Sequence, residues 1–274
     1  HRMEIADALF DAARDICRDT VLVRIPPGVV NGQEPPAGAA RMMKGFDAVI
    51  APTTTSLTHT KAVTEALNRG ARVASMPGIT SKMFRRGMKA DYRKVRELTS
   101  RIGSQLRKAG AIRLTTSNGT DITVKRKKKD TVFLDNGNIS ARGSKGNLPA
   151  GEAFLVPSQG MTEGVFVSDA SIGGLGMVDR PVKVKVSKGY AVSIEGGRTA
   201  SRLRSVLKPC GKEAYNIAEL GIGTNPQAMI SGMLLEDENV FGTAHIALGS
   251  SAGMGGPTYA PCHIDCVFRK PTIY

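Results

Sequence analysis

His263 and Asp265 stand two residues apart in Cys262-His263-Ile264-Asp265-Cys266, and on a strand residues i and i+2 project to the same side. An imidazole and a carboxylate aimed into one space make half of a metal site. His245, in Gly242-Thr243-Ala244-His245-Ile246-Ala247, and Glu219, in Ala218-Glu219-Leu220-Gly221, are each a lone ionisable residue in an apolar, strand-like run. Such groups are costly to bury unless they are paired or bound to metal. A His-x-Asp pair taken alone is more often an internal hydrogen bond of a core. Two of the four histidines, gathered with two acidic residues in the last quarter of the chain, shift the balance toward metal binding.

The elements that must position these residues change character near residue 110. Before it, helical periodicity alternates with short apolar runs: a helix through Ile5–Phe10, strands at Val21–Ile25, Ala48–Ala51 and Arg72–Met76, and helices at Lys61–Asn68 and about Asp91–Lys108. Strands separated by helices argue for a parallel sheet. After Gly110 the pattern is β. Ile112–Thr116 and Asp121–Val124 flank an Asn118-Gly119 turn, Val182–Val186 and Tyr190–Ile194 alternate, and one helix spans roughly Thr199–Leu207. The expected fold class is an α/β, Rossmann-like N-terminal domain with a parallel sheet (residues 1–110), followed by a β-rich α+β metal-binding domain (residues 111–274).

Composition bounds the function. The 274 residues are 41% hydrophobic and 23% charged, as in an ordinary globular protein. No apolar run approaches the length of about 20 residues that a membrane span needs, and no charged-then-apolar leader opens the chain. No membrane partner is expected, and the localisation read from these features is cytoplasmic. The four cysteines are irregularly spaced and read as buried thiols. The net charge of +14 peaks at Lys125-Arg126-Lys127-Lys128-Lys129. With aromatics at 5% and no Trp, no stacking platform accompanies that run, so it reads as an exposed hairpin end and nucleic acid is not expected as a partner. The charge suits attraction of a small anionic substrate. Domains of this β-rich kind often form homo-oligomers, but no interface stripe is legible. The glycines of Ile172-Gly173-Gly174-Leu175-Gly176 do not open a helix and are no dinucleotide fingerprint.

Four stretches carry a family resemblance: Asn147-Leu148-Pro149-Ala150-Gly151-Glu152, Asn216 to Pro226, Gly242 to Gly249, and His263-Ile264-Asp265. In this order the chain resembles the aminopeptidase T family of metallopeptidases, in its shorter, leucyl-aminopeptidase-like branch, which is also similar to 2,5-dihydroxypyridine 5,6-dioxygenase. Ser56–Ala62 and Ala74–Thr80 extend the similarity. The resemblance implies two divalent ions (zinc, cobalt or manganese) held by Glu152, Glu219, His245, His263 and Asp265, with Glu219 bridging, and removal of N-terminal residues from small peptides. Glu152 is then also a catalytic candidate. The family's catalytic tyrosine has no counterpart in Gly249–Met254, and Tyr259 is the candidate substitute.

The alternative implied by the same resemblance is a ring-cleaving dioxygenase with one Fe(II) on His245, His263 and Asp265, leaving open positions for oxygen and substrate. His59, in a Thr-rich turn, is then the distal acid or base, expected at the cleft beside the ligands, although a helix-capping or surface role fits it as well. A non-catalytic basic binding module is the third class. It requires the His-x-Asp strand to be structural.

Overall fold

The computed structural model describes residues 2–128 and 130–274. Lys129, the last residue of the basic run, lies outside them. The chain divides into two compact units, one comprising the residues up to Ala90 with Gly137–Ala150, the other Asp91–Asn136 with Gly151–Tyr274. The expected single boundary near Gly110 is replaced by three crossings. The helix Tyr92–Lys108 belongs to the second unit, and a short segment after Asn136 returns to the first.

The first unit holds a three-stranded parallel sheet in the order Ala48–Ala51, Arg72–Ser75, Lys145–Asn147. Between its first two strands runs the helix Lys61–Asn68. Thr60 caps it by accepting a hydrogen bond from the Val63 amide. Ala62, Val63 and Ala66 turn inward and pack with Leu57, Val73 and Met43 in a small core. Val21–Ile25 forms no strand, contrary to expectation: Val21, Leu22 and Val23 are 53%, 41% and 43% exposed. The apolar run has β-like composition, but Pro26 and Pro27 follow it without N–H groups for a ladder.

The second unit is built from two antiparallel sheets. One has seven strands in the order Gly176–Met177, Ser171–Ile172, His263–Arg269, Thr243–Gly249, Ile217–Gly223, Glu152–Leu155, Val132–Asp135. The other has six: Tyr190–Glu195, Val182–Ser187, Thr162–Ser168, Asp121–Lys125, Ala111–Thr115, Thr272–Ile273. Both two-stranded hairpins read from the sequence are present in the six-stranded sheet. One apolar face of each contributes to a single core. Leu155, Leu220, Ile246 and Phe268 come from the first sheet, and Leu114, Ile122, Phe166 and Val184 from the second. Phe166 and Phe268 stack with centroids 6.4 Å apart. Because side chains alternate along a strand, the seven-stranded sheet has a second face, and its ionisable residues stand there.

The basic run is not simply an exposed hairpin end. Lys125 closes a strand, while Arg126 is only 7% exposed. Its guanidinium donates to the carbonyls of Leu106, Arg107 and Ala109, at the end of helix Tyr92–Lys108, at 3.3, 2.8 and 3.3 Å. A cation on the unsatisfied carbonyls of a helix C-terminus is favourable. Nor are all thiols buried: Cys266 is, Cys210 and Cys262 are intermediate, and Cys17 is exposed. Among the described residues no helix is long and apolar enough to cross a membrane.

Candidate metal centre

Register explains how residues far apart in sequence meet. Gly221 lies opposite His245, Glu219 opposite Ala247, Ala247 opposite Asp265, and Gly249 opposite His263. Glu152 lies opposite Gly223 on one side and Asp135 on the other. Directly paired residues share a face, so Glu152, Glu219, His245, His263 and Asp265 all project from the one turned away from the hydrophobic core. Gly221, Gly223, Ala247 and Gly249 fill the positions between them with next to no side chain. A Cβ on Gly221 would lie 2.1 Å from Cε1 and from Nε2 of His245. The imidazole therefore lies flat across the neighbouring strand.

His245 Nε2 is 3.4 Å from Glu152 Oε2, 3.4 Å from Glu219 Oε1 and 4.0 Å from Asp265 Oδ1. His263 Nε2 is 3.3 Å from Glu219 Oε2 and 3.5 Å from Asp265 Oδ1. Two groups of possible ligands result, Glu152–Glu219–His245 and Glu219–His263–Asp265, with Glu219 in both. His245 is 1% exposed, Asp265 4%, and Glu152 and Glu219 6% each. The His263 side chain keeps 33% of its surface and forms the open edge of the cluster.

Three carboxylates face two imidazoles in a largely dry space. Burial pushes Glu152 well above the usual carboxylate range, and the charges of Glu238, Glu219, Asp135 and Asp265 push it further. Burial also raises Glu219, but hydrogen bonds from His245 and His263 outweigh it and leave this carboxyl below its ordinary value. Asp265 is raised by burial and lowered more strongly by His263, so it too ends below. Burial disfavours charge on His263, yet Asp265 and Glu219 hold its pKa well above that of a free histidine. The geometry demands this. His263 Nδ1 donates to the Ser250 carbonyl at 2.8 Å, because a carbonyl oxygen only accepts. Its Nε2 then meets two carboxylates and must carry either a proton or a cation.

The residues fit a divalent cation. Glu152 Oε2 and His245 Nδ1 are buried without a hydrogen-bond partner, a costly state for polar atoms. Neutral imidazole nitrogens and carboxylate oxygens are a donor set for first-row transition metals. The Ser250 carbonyl holds the His263 tautomer in the way outer-sphere partners of metal-binding histidines do.

The remaining sequence candidates stand on other elements. Tyr259 sits on the loop between the strands Thr243–Gly249 and His263–Arg269 and is 76% exposed. His59 belongs to the first unit, in an exposed turn one residue before the Thr60 helix cap. Two acidic residues at the centre escaped the sequence reading. Asp135 is Glu152's strand partner, and Glu238 is itself raised well above its ordinary value by burial and by Asp265, Glu219 and Asp135. Neither stands alone in an apolar run; Glu238 follows Glu236-Asp237 and reads as part of a solvated turn.

The family model for NicX, 2,5-dihydroxypyridine 5,6-dioxygenase, matches residues 2–274. The chain belongs to this dioxygenase family. Among solved structures, the NicX-family chain is similar to the 2,5-dihydroxypyridine dioxygenase of Pseudomonas putida KT2440, with a TM-score of 0.81 and 22% identity over 98% of this chain and 83% of that one. It is also similar, more distantly, to wild-type AmpT of Thermus thermophilus, with a TM-score of 0.60 and 16% identity over 84% of this chain and 72% of that one. At these identities both likenesses speak for a shared mixed α/β fold. No curated protein sequence matches significantly. The NicX match overturns the aminopeptidase expectation, and with it the hydrolase chemistry. The sequence motifs that suggested the peptidase are the ones that carry the carboxylates and histidines of this centre.

Proposed function

We propose that the protein is a non-haem Fe(II) dioxygenase that opens the ring of a dihydroxylated nitrogen heterocycle of the 2,5-dihydroxypyridine type, with His245, His263 and Asp265 as the iron ligands. The observation that carries the reading is that Asp265 Oδ1 lies 3.5 and 4.0 Å from the two Nε2 atoms, two imidazoles and one carboxylate on one face of one sheet in a chain of the NicX family. Two histidines and a carboxylate that leave positions open suit non-haem Fe(II). When bound, the iron would supply the redox chemistry that lets dioxygen react with the ring.

The protein's own groups supply orientation and proton handling. Glu219 Oε1 lies 3.4 Å from His245 Nε2, and its lowered pKa suits it to accept a proton from a ring hydroxyl. Burial and the neighbouring carboxylates raise the pKa of Glu152, whose Oε2 lies 3.4 Å from His245 Nε2, and this suits it to hold a proton in the same space. Neither Tyr259 nor His59 is given a step in this reading.

The test is anaerobic loading with Fe(II), followed by dioxygen uptake with 2,5-dihydroxypyridine. The expected result is about one iron per chain and one dioxygen consumed per ring opened. Glu219→Gln should keep its iron, whereas Asp265→Ala should lose it. Iron-loaded protein that consumes no dioxygen with this class of ring overturns the proposal, as does loss of iron in Glu219→Gln.

A further inference from the structure

One peptide plane joins the His263 imidazole to the loop that connects the strands Thr243–Gly249 and His263–Arg269. The peptide bond between Ser250 and Ser251 is trans, so its C=O and N–H lie in one plane and point in opposite directions. The C=O end, on Ser250, accepts from His263 Nδ1 at 2.8 Å. The N–H end, on Ser251, donates to the Thr258 carbonyl at 2.9 Å. Rotating the acceptor away from the imidazole therefore means breaking the contact to Thr258. The other side of Ser250 is held as well, since its amide donates to the Cys262 carbonyl at 2.8 Å.

Ser251 ties the loop to itself from inside. It is 1% exposed and Thr258 3%. The Ser251 hydroxyl accepts from the Thr258 amide at 3.3 Å, so the two residues are bonded in both directions. The Ser251 carbonyl accepts from the Gly256 amide at 3.0 Å. Gly256 leaves the hydroxyl its room: a Cβ there would lie 2.3 Å from Ser251 Oγ and 2.9 Å from Cγ1 of Val156, next to the strand that opens on Glu152. We propose that Ser251 is a positioning residue for His263, its hydroxyl and amide clamping Thr258 so that the shared peptide plane holds the imidazole with Nδ1 on the loop and Nε2 toward Asp265 and Glu219. Ser251 acts through the Ser250 carbonyl rather than on metal or substrate. The clamp matters because His263 is the member of the cluster that keeps a third of its side-chain surface, 33%. When the acceptor drifts, the ring turns and the two nitrogens, which are not equivalent as ligands, exchange places. The consequence for iron rests on His263 being a ligand; the orientation of the ring does not.

The test uses the whole metal-free chain and two variants, Ser251→Ala, which removes the hydroxyl, and Gly256→Ala, which fills its space. Nuclear magnetic resonance of the labelled imidazoles reads the ring directly. In both variants the His263 Nδ1 proton is expected to move upfield and to exchange faster with water, while the ring resonances of His245 stay in place. Co(II) affinity should fall about tenfold, the lower end of what loss of an outer-sphere partner does. A folded Ser251→Ala chain with the His263 resonance unmoved overturns the proposal. So does equal movement of both histidines, or loss of the fold in Ser251→Ala, because either would make the hydroxyl a general support of the sheet. A wild-type chain that binds no Co(II) counts against the iron site, and the His263 resonance then decides on Ser251 by itself.

Discussion

Gly221 lacks a side chain because of what lies on the neighbouring strand. Its Cβ would meet the ring of His245 at 2.1 Å, and that ring is the movable end of a side chain. Gly223 differs, since its Cβ would meet the Val240 carbonyl oxygen at 2.1 Å, which is backbone. Gly221→Ala should therefore push the imidazole out of place with little loss of stability and weaken metal binding about 10–100-fold. Gly223→Ala should lower the melting temperature. Calorimetric titration with Fe(II) or Co(II) alongside thermal melts checks both, and unchanged metal affinity in Gly221→Ala would show that His245 is no ligand. The same pair shows what could be read in advance. The two histidines, Glu219 and Asp265 were legible because each is a lone charge in an apolar alternation. Asp135 becomes visible only through its pairing with Glu152, a register that local sequence does not encode. Gly221 closes the strand-like run Ala218–Gly221, but the imidazole that needs its missing Cβ stands on another strand.

At the scale of elements, the helix Arg198–Leu207 shows how a start signal can be borrowed. Its N-cap residue is Gly197, which offers no side-chain acceptor. Asp179, from the segment before the strand Val182–Ser187, accepts from the Arg198 and Thr199 amides at 2.9 Å each and from the Thr199 hydroxyl at 2.6 Å. Those bonds, the Thr199 hydroxyl first, hold the Asp179 carboxyl well below the usual range. A depressed folded-state pKa means that the stabilisation is complete above the unfolded value of about 3.9 and is lost as pH falls through the folded one. Asp179→Asn should thus lower the melting temperature at neutral pH, and the difference from wild type should shrink below about pH 4. Melts across pH 2–7 read this directly, and a constant difference would refute it. The helix itself was legible from its periodicity, since Ala200, Leu203 and Leu207 recur on its buried side. Its cap was not, because the acceptor lies outside the local window. Val21–Ile25 fails in the opposite direction. Composition favoured a strand, and no partner strand accompanies it among the described residues.

At the scale of the molecule, chain order and physical units do not coincide. The shift from helix-and-strand to pure β near Gly110 is real as a change of local pattern, but the helix before it packs into the second unit. Leu106 of that helix is part of the large core, Gly103 lies so close to Leu134 that a Cβ would meet its Cδ2 at 2.3 Å, and Thr99 hydrogen-bonds Thr224 at 2.7 Å. Arg126 depends on the same helix, because three of its carbonyl acceptors are Leu106, Arg107 and Ala109. A fragment cut at the apparent boundary, residues 111–274, would strip this guanidinium of those three acceptors and leave it the Lys128 and Asp130 carbonyls. Hydrogen bonds to a charged group contribute about 1.5–3 kcal/mol each, and a whole domain is stable by only about 5–15 kcal/mol. The 111–274 fragment should therefore fail to fold cooperatively. Arg126→Met in the full chain keeps the helix and removes the charge, so it should fold with reduced stability. Circular dichroism melts of the two proteins separate the cases. A sharp unfolding transition in the fragment would mean that the second unit does not need the helix Tyr92–Lys108, and that the boundary near Gly110 is physical after all.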